Sequence, residues 1–198
     1  MLQLTDDPLT QDQLMWIDVI TSVLFERRFD LKLGDMNYVI RNMIAKYVSS
    51  ASRYSVSKGV ECLIDKNPMV FGGLSTEKPN NLKALFYGKK SKSNELGKPT
   101  MFEHSIPAVV TRDQLLALRP MIYSATKPQF AERVGEILSR SGRVVIVLKE
   151  ENARLSRKSM PSGWDFFSGT DVARYMQAQP QVLISKKYIL PRDQHICR

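Results

Sequence analysis

The chain has 198 residues, with 29 Lys and Arg against 20 Asp and Glu, which gives a net charge of +9. Hydrophobic residues make up 43% of it, so the composition predicts a folded core and excludes an intrinsically disordered protein. No apolar run approaches the ~18 residues of a membrane span, and Cys62 and Cys197 are too few for a disulfide framework. The first residues lack a basic region followed by an apolar run, so we expect no signal peptide and a cytoplasmic protein.

The positive charge is concentrated after residue 50. Residues 1–50 contain 5 basic and 7 acidic side chains, whereas residues 51–198 contain 24 basic and 13 acidic ones. A basic body favours a polyanionic partner, and nucleic acid is the commonest polyanion. An anionic membrane fits less well, because no basic amphipathic helix with a broad apolar face stands out. We therefore predict a nucleic-acid partner, DNA favoured over RNA, and no membrane association.

The N-terminal part of the chain has the hydrophobic spacing of helices. Residues 10–29 repeat apolar side chains at helical intervals behind the Thr10–Gln13 capping box. A second helix begins at Asp35, and a third segment of similar spacing follows a serine-rich stretch. This pattern predicts a helical N-terminal module over residues 1–66. Its residues 10–65 are the candidate surface for a homo-oligomer.

The second part, residues 67–198, is predicted to be a basic body with few strands. Helical patterns begin at Thr111 and end before Pro120, and further helices are predicted over residues 128–141, 149–155 and 170–178. Strands are predicted over residues 69–71, 143–148 and 181–185. The run at 143–148 is rich in β-branched residues, which predicts burial on both faces. The expected fold class is α+β: a helical N-terminal part followed by a small mixed α/β body.

A polar, basic segment covers residues 88–99. It contains glycine, serine, asparagine and proline, which predict a flexible loop. Four lysines stand in it against the single acidic residue Glu95: Lys89, Lys90, Lys92 and Lys98. Such a loop is suited to follow a phosphate backbone, and a solvated loop without a ligand is the alternative.

His104 is the histidine to which we assign candidate chemistry. The only other one, His195, lies near the C-terminus, where chains commonly fray. Glu103 directly precedes His104, so a hard oxygen ligand for a cation stands next to a base of near-neutral pKa. Metal-assisted hydrolysis of a phosphodiester requires both groups. In a regular strand the two side chains face opposite sides, whereas at a strand end both can reach one centre. A surface histidine beside an unrelated glutamate is the plainer alternative.

More polar residues follow the predicted strand at 143–148. Glu151 or Asn152 offers an oxygen ligand at the beginning of the next helix. Acidic residues at a helix start explain Glu150 and Glu151 without any ligand, but they do not explain Asn152, which is a poor helix former. Three basic side chains that can hold phosphates come next: Arg154, Arg157 and Lys158.

The segment Phe102–Pro107, followed by the apolar strand and Lys149–Leu155, resembles a divergent HNH (ββα-metal) nuclease over about residues 100–158. A short hairpin joins these motif elements in that family, whereas a longer segment with predicted helices separates them in this sequence. The central asparagine of the family has no obvious equivalent here.

The resemblance implies a role for each of three residues. Glu103 would be a metal ligand, His104 the general base that activates water, and Asn152 the second metal ligand. The implied cofactor is a divalent metal, Mg²⁺ or Mn²⁺. The implied enzyme is an endonuclease that hydrolyses phosphodiester bonds.

Three functional hypotheses account for these observations. The first is a metal-dependent endonuclease that acts on DNA or on RNA. The alternative is a non-catalytic nucleic-acid-binding protein with a regulatory or accessory role, which explains the charge without an active site. The third is a metal-independent ribonuclease, in which His104 and a lysine or arginine perform acid–base catalysis through the 2′-hydroxyl.

Overall fold

The computed structural model describes residues 8–26, 33–51, 53–67 and 100–191. Its helices are α1 Gln11–Glu26, α2 Leu33–Ser49, α3 Lys58–Lys66, α4 Ala108–Ala117, α5 Lys127–Ser141, α6 Lys149–Asn152 and α7 Ala173–Gln177. A 3-10 helix covers Arg119–Tyr123. The strands are β1 Arg53–Ser57, β2 Thr100–His104, β3 Val144–Leu148 and β4 Ile184–Pro191. No helix in the described ranges is long and apolar enough to cross a membrane.

The strands form one mixed sheet in the order β2–β3–β1–β4. β1 runs parallel to β3, and β4 runs antiparallel to β1 on its other side. β2 runs antiparallel to β3 and is paired over its whole length, from Thr100 opposite Leu148 to His104 opposite Val144. Helices packed with a small mixed sheet confirm the predicted α+β class.

β3 is buried on both faces, as its sequence predicts. Val144 and Ile146 belong to the main core. The helices contribute Ile20, Ile40 and Phe130 to the same core. Val145 and Val147 belong to a smaller core on the other face, with Leu155, Tyr175 and Val182. The sheet therefore lies between a helical layer and a thinner layer built from the chain after β3.

Two helices begin at capping boxes that satisfy their first backbone N–H groups. In α1, Gln13 N donates to Thr10 Oγ1 at 3.1 Å and Thr10 N donates to Gln13 Oε1 at 3.0 Å, which confirms the predicted box. Thr126 and Gln129 form the equivalent box at α5. The apolar face of α5 is buried as predicted, through Phe130, Val134, Ile137 and Leu138.

The expectation of an entirely helical segment over residues 1–66 is wrong at β1. Tyr54 and Val56 alternate along this strand and are buried, and the small side chains of Ser55 and Ser57 are buried as well. Only two apolar residues stand at strand spacing, and their serine neighbours add no hydrophobic signal. The strand forms because β3 and β4 supply hydrogen-bonding partners on both sides.

Several predicted boundaries shift. The helix expected from Thr111 begins at Ala108, behind Pro107, whose fixed φ suits a helix start. The helices predicted over residues 149–155 and 170–178 are shortened to Lys149–Asn152 and Ala173–Gln177, and the last strand is displaced to Ile184–Pro191. The predicted strand at 69–71 and the lysine-containing segment at 88–99 lie outside the described residues.

Replacing a helical glycine by alanine should have opposite effects on stability at Gly135 and at Gly59. A Cβ on Gly135 in α5 meets no atom closer than Ile17 Cδ1 at 3.9 Å. Gly135→Ala should therefore raise the free energy of unfolding by about 1 kcal/mol through helix propensity. A Cβ on Gly59 in α3 would stand 2.6 Å from Glu151 Oε1 and 2.7 Å from Leu148 Cδ1. Gly59→Ala should therefore lower the free energy of unfolding by about 1–3 kcal/mol.

Urea unfolding of both variants measures the two effects. A Gly59→Ala variant as stable as the wild type would contradict a fixed position for the Glu151 side chain.

Candidate functional site

Glu103 and His104 project to opposite faces of the sheet. Both are paired with β3, and the ladder continues beyond them because Ser105 N donates to the carbonyl oxygen of Arg143 at 2.9 Å. Residues directly opposite each other in an antiparallel pair share a face. His104 lies opposite Val144 and so faces the helical core, whereas Glu103 lies opposite Val145 and faces the smaller core.

The Glu103 carboxylate is held by a buried arginine. Arg174 Nη2 lies 2.6 Å from Glu103 Oε2, and the Arg174 side chain is 2% exposed. The guanidinium also donates to three backbone carbonyls: from Nε to Ser105 O at 3.1 Å, from Nη1 to Ser156 O at 2.6 Å, and from Nη2 to His104 O. Arg174 therefore neutralises the carboxylate and ties the end of β2 to the segment after α6.

Sequence reasoning did not identify Arg174. It stands in a short predicted helix far along the chain from Glu103, and no motif distinguishes it from a solvated arginine. The one available signal is its position among apolar neighbours, because Val172 and Tyr175 both pack into the smaller core.

His104 is uncharged at neutral pH in this environment. Burial disfavours its imidazolium form, and the positive charge of Arg174 adds to this, so its pKa is lowered from 6.5 to about 4. A base with so low a pKa accepts a proton only weakly near pH 7. The Glu103 carboxylate, which would raise the pKa of the imidazole, faces the other side of the sheet, so His104 is a weaker base than the sequence led us to expect.

Asn152 lies at the opposite end of β2 from His104. It is buried, and its Nδ2 donates to Met101 Sδ at 3.2 Å. Met101 is two residues before Glu103, a separation of about 7 Å along a strand. Asn152 Oδ1 is buried and has no hydrogen-bond partner among the described residues.

The three residues with implied metal roles do not fit a common metal site as they are placed. The Glu103 carboxylate is engaged by Arg174, His104 faces the other side of the sheet, and Asn152 contacts the opposite end of β2. Within the ranges that the structure describes, no group of three or more His, Cys, Asp and Glu is placed to hold a metal ion.

Glu151, the other candidate ligand in this segment, caps the beginning of α6. Its Oε2 accepts from Leu148 N at 2.9 Å and from Ser57 Oγ at 2.5 Å. Ser57 also caps α3 by accepting from Val60 N at 3.2 Å. Glu151 therefore joins the ends of β1 and β3.

The basic residues Arg154, Arg157 and Lys158 stand together after α6. Arg157 and Lys158 are exposed, whereas Arg154 is half-buried. None of the three pairs with a carboxylate of the described residues, in contrast to other basic side chains that do: Lys58, Arg112, Lys127, Arg133, Arg143 and Lys187. We call Arg154, Arg157 and Lys158 the basic segment. The predicted contacts Lys89, Lys90, Lys92 and Lys98 lie outside the described residues.

Known proteins offer no parallel for the chain as a whole. No protein-family model matches it, and neither the curated proteins nor the solved structures contain a match. The functional assignment therefore rests on the side chains of this molecule alone.

Proposed function

We propose that the protein binds nucleic acid without catalysing its cleavage, in a regulatory or accessory role. The observation that supports this is the basic segment, in which three cations stand within five residues and have no carboxylate partner among the described residues. Arginine and lysine side chains that are free of internal ion pairs contact phosphates without first breaking a bond within the protein.

The arrangement around Glu103 favours binding over catalysis. A hydrolytic site needs its base, its metal ligands and its substrate at one place. In this fold Arg174 takes the carboxylate, and His104 lies across the sheet from it. The same groups serve a structural purpose, because Arg174 holds the end of β2 against the segment that carries the basic side chains.

A metal-dependent endonuclease with Mg²⁺ or Mn²⁺ is the second candidate. One observation favours it: the buried Asn152 Oδ1 lacks a hydrogen-bond partner among the described residues, and an amide oxygen is a suitable ligand for such cations. The metal-independent ribonuclease stays a third prediction. Self-association through residues 10–65 and a cytoplasmic location also stay predictions.

A salt titration of binding tests the proposal. Affinity for labelled DNA and RNA oligonucleotides is measured by fluorescence anisotropy between 50 and 200 mM salt, a range in which binding through phosphate contacts weakens strongly. We expect a linear fall of log K with log salt concentration, unchanged by EDTA. Replacing Arg154, Arg157 and Lys158 together by Gln should reduce that slope by about 3, or about 1 for each lost cation.

A control variant separates the basic segment from overall charge. Arg41, Lys46 and Lys186 are exposed and lie on α2 and β4, so replacing them by Gln removes the same charge elsewhere. Equal slopes for the two triple variants would contradict the assigned surface, and absence of binding to every nucleic acid would overturn the proposal.

The same mixtures of protein with DNA or RNA are examined for cleavage of the nucleic acid, with Mg²⁺, with Mn²⁺ and with EDTA. Metal-dependent nicking that His104→Ala abolishes would instead favour the endonuclease. Cleavage of RNA alone in EDTA would favour the ribonuclease.

A further inference from the structure

A small pocket lies next to the basic segment, between the chain after α6 and α7. Its polar lining residues are Arg154, Ser156, Ser159, Arg174 and Gln177, and its apolar ones are Met160, Pro161 and Ala178. The pocket has a volume of about 130 Å³. None of the described residues that line it is acidic. The cavity is therefore polar and positively charged, and the exposed Arg157 and Lys158 lie along the chain between its lining residues Ser156 and Ser159.

Arg154 lines this pocket, and no acceptor of the described residues holds its guanidinium. Its Nε is buried and has no hydrogen-bond partner among the described residues. A buried N–H of a cation without an acceptor is costly, because water no longer solvates it. The accessible part of the half-buried Arg154 side chain is therefore the group that a ligand in the pocket would meet.

Arg174 and two serines also line the pocket. Arg174 uses four of its five N–H groups on Glu103 and on backbone carbonyls, and its side chain is also hydrogen-bonded to Tyr175. Its guanidinium is fixed in place by those bonds. Ser156 Oγ and Ser159 Oγ lie 2.9 Å apart and are hydrogen-bonded to each other, so one of the two hydroxyl hydrogens is left for a ligand.

We propose that this pocket binds a single phosphate group of a nucleic acid. The inference rests on the proposed function, and it names the place where one phosphate of the bound nucleic acid would be held. A tetrahedral oxyanion accepts hydrogen bonds from guanidinium and hydroxyl groups at once, and the positive charge of Arg154 is not offset by a carboxylate of the described residues. Arg157 and Lys158 then contact the neighbouring phosphates of the strand.

Titration with inorganic phosphate tests the pocket directly. Calorimetry at constant ionic strength compares the wild type with Arg154→Gln and with the charge-matched control Arg41→Gln on α2. We expect Arg154→Gln to weaken phosphate binding by about tenfold or more, because a charge-assisted hydrogen bond is lost. Arg41→Gln should bind as the wild type does.

Further variants keep the interpretation unambiguous. Arg154→Lys keeps the charge but not the planar donor and should recover only part of the affinity, and Ser159→Ala should weaken binding by a smaller factor. Thermal melting shows whether each variant is folded. Failure of the folded wild type to bind phosphate, or equal affinity of the wild type and Arg154→Gln, would overturn the proposal.

Three oligonucleotides of one sequence identify which phosphate enters. They carry a 5′-phosphate, a 3′-phosphate or hydroxyl groups at both ends. Tighter binding of one phosphorylated form, lost in Arg154→Gln, assigns the pocket to that terminal phosphate. Equal binding of all three, weakened uniformly by Arg154→Gln, assigns it to an internal phosphate.

The outcomes for pocket and function are distinguishable. Salt-dependent nucleic-acid binding that ignores Arg154 overturns the pocket and leaves the function standing. Arg154-dependent phosphate binding without any oligonucleotide binding overturns the function and leaves a phosphate pocket.

Discussion

Arg174→Met is expected to lower the free energy of unfolding by about 3–5 kcal/mol, the range for removing one partner of a buried ion pair. The variant leaves the Glu103 carboxylate without its cation at a position where its side chain is only 17% exposed. It also leaves the carbonyl oxygens of His104, Ser105 and Ser156 without the donor that joins them. Methionine fills most of the volume, so the loss reports on polar contacts and not on a cavity.

Urea unfolding measures this loss, with two variants for comparison. Arg133→Met removes an exposed arginine that pairs with Glu136 on α5, and should cost less than about 0.5 kcal/mol. Glu103→Gln keeps an acceptor for Arg174 and should lie between the two. An Arg174→Met variant as stable as Arg133→Met would contradict the buried network.

The stability of the protein should also fall as the solution is acidified from pH 6.5 to pH 4, in part through His104. Its pKa is about 4 in the folded protein against 6.5 for the exposed group, because burial and the charge of Arg174 disfavour the cation. Between these values the unfolded chain binds a proton that the folded chain does not, so acidification favours unfolding. A pKa difference of this size corresponds to about 3 kcal/mol in the free energy of unfolding. That stability is lost progressively as the pH falls through this window, and the loss stays constant at lower pH.

His104→Gln isolates this contribution. Carboxylates titrate in both proteins, so the informative quantity is the difference in free energy of unfolding between wild type and variant at pH 7, 5.5 and 4, values chosen across the expected window. We expect that difference to change in favour of the variant as the pH falls. Parallel curves would show that His104 has an ordinary pKa in the fold.

The elements that could be predicted are those with a strong local pattern. β3 is a continuous β-branched run, and α5 carries a capping box, an apolar face and a proline in its first turn, so the sequence predicts the bounds of both nearly to the residue. β1 was missed because Tyr54 and Val56 are too few to outweigh the helical spacing around them. Its strand conformation depends on partners that lie far along the chain.

The candidate site shows the same limit. The sequence placed Glu103 next to His104 but left open whether their side chains share a centre. The pairing of β2 with β3 decides this, since both residues belong to a regular ladder. The partner that Glu103 does have, Arg174, is 71 residues away. No local spacing rule reports on such a contact.

The position of β1 between β3 and β4 also determines when the sheet can form during synthesis of the chain. Ser55 pairs with Val145 on one side and with Ile189 on the other, so the order of synthesis and the order of strands in space differ. Closing such long loops is entropically costly, and sheets that depend on them fold slowly. During translation, β1 emerges with both of its edges open and stays so until β3, and then β4, follows. A chain interrupted before β4 presents an uncovered strand edge, the feature through which partly folded proteins associate.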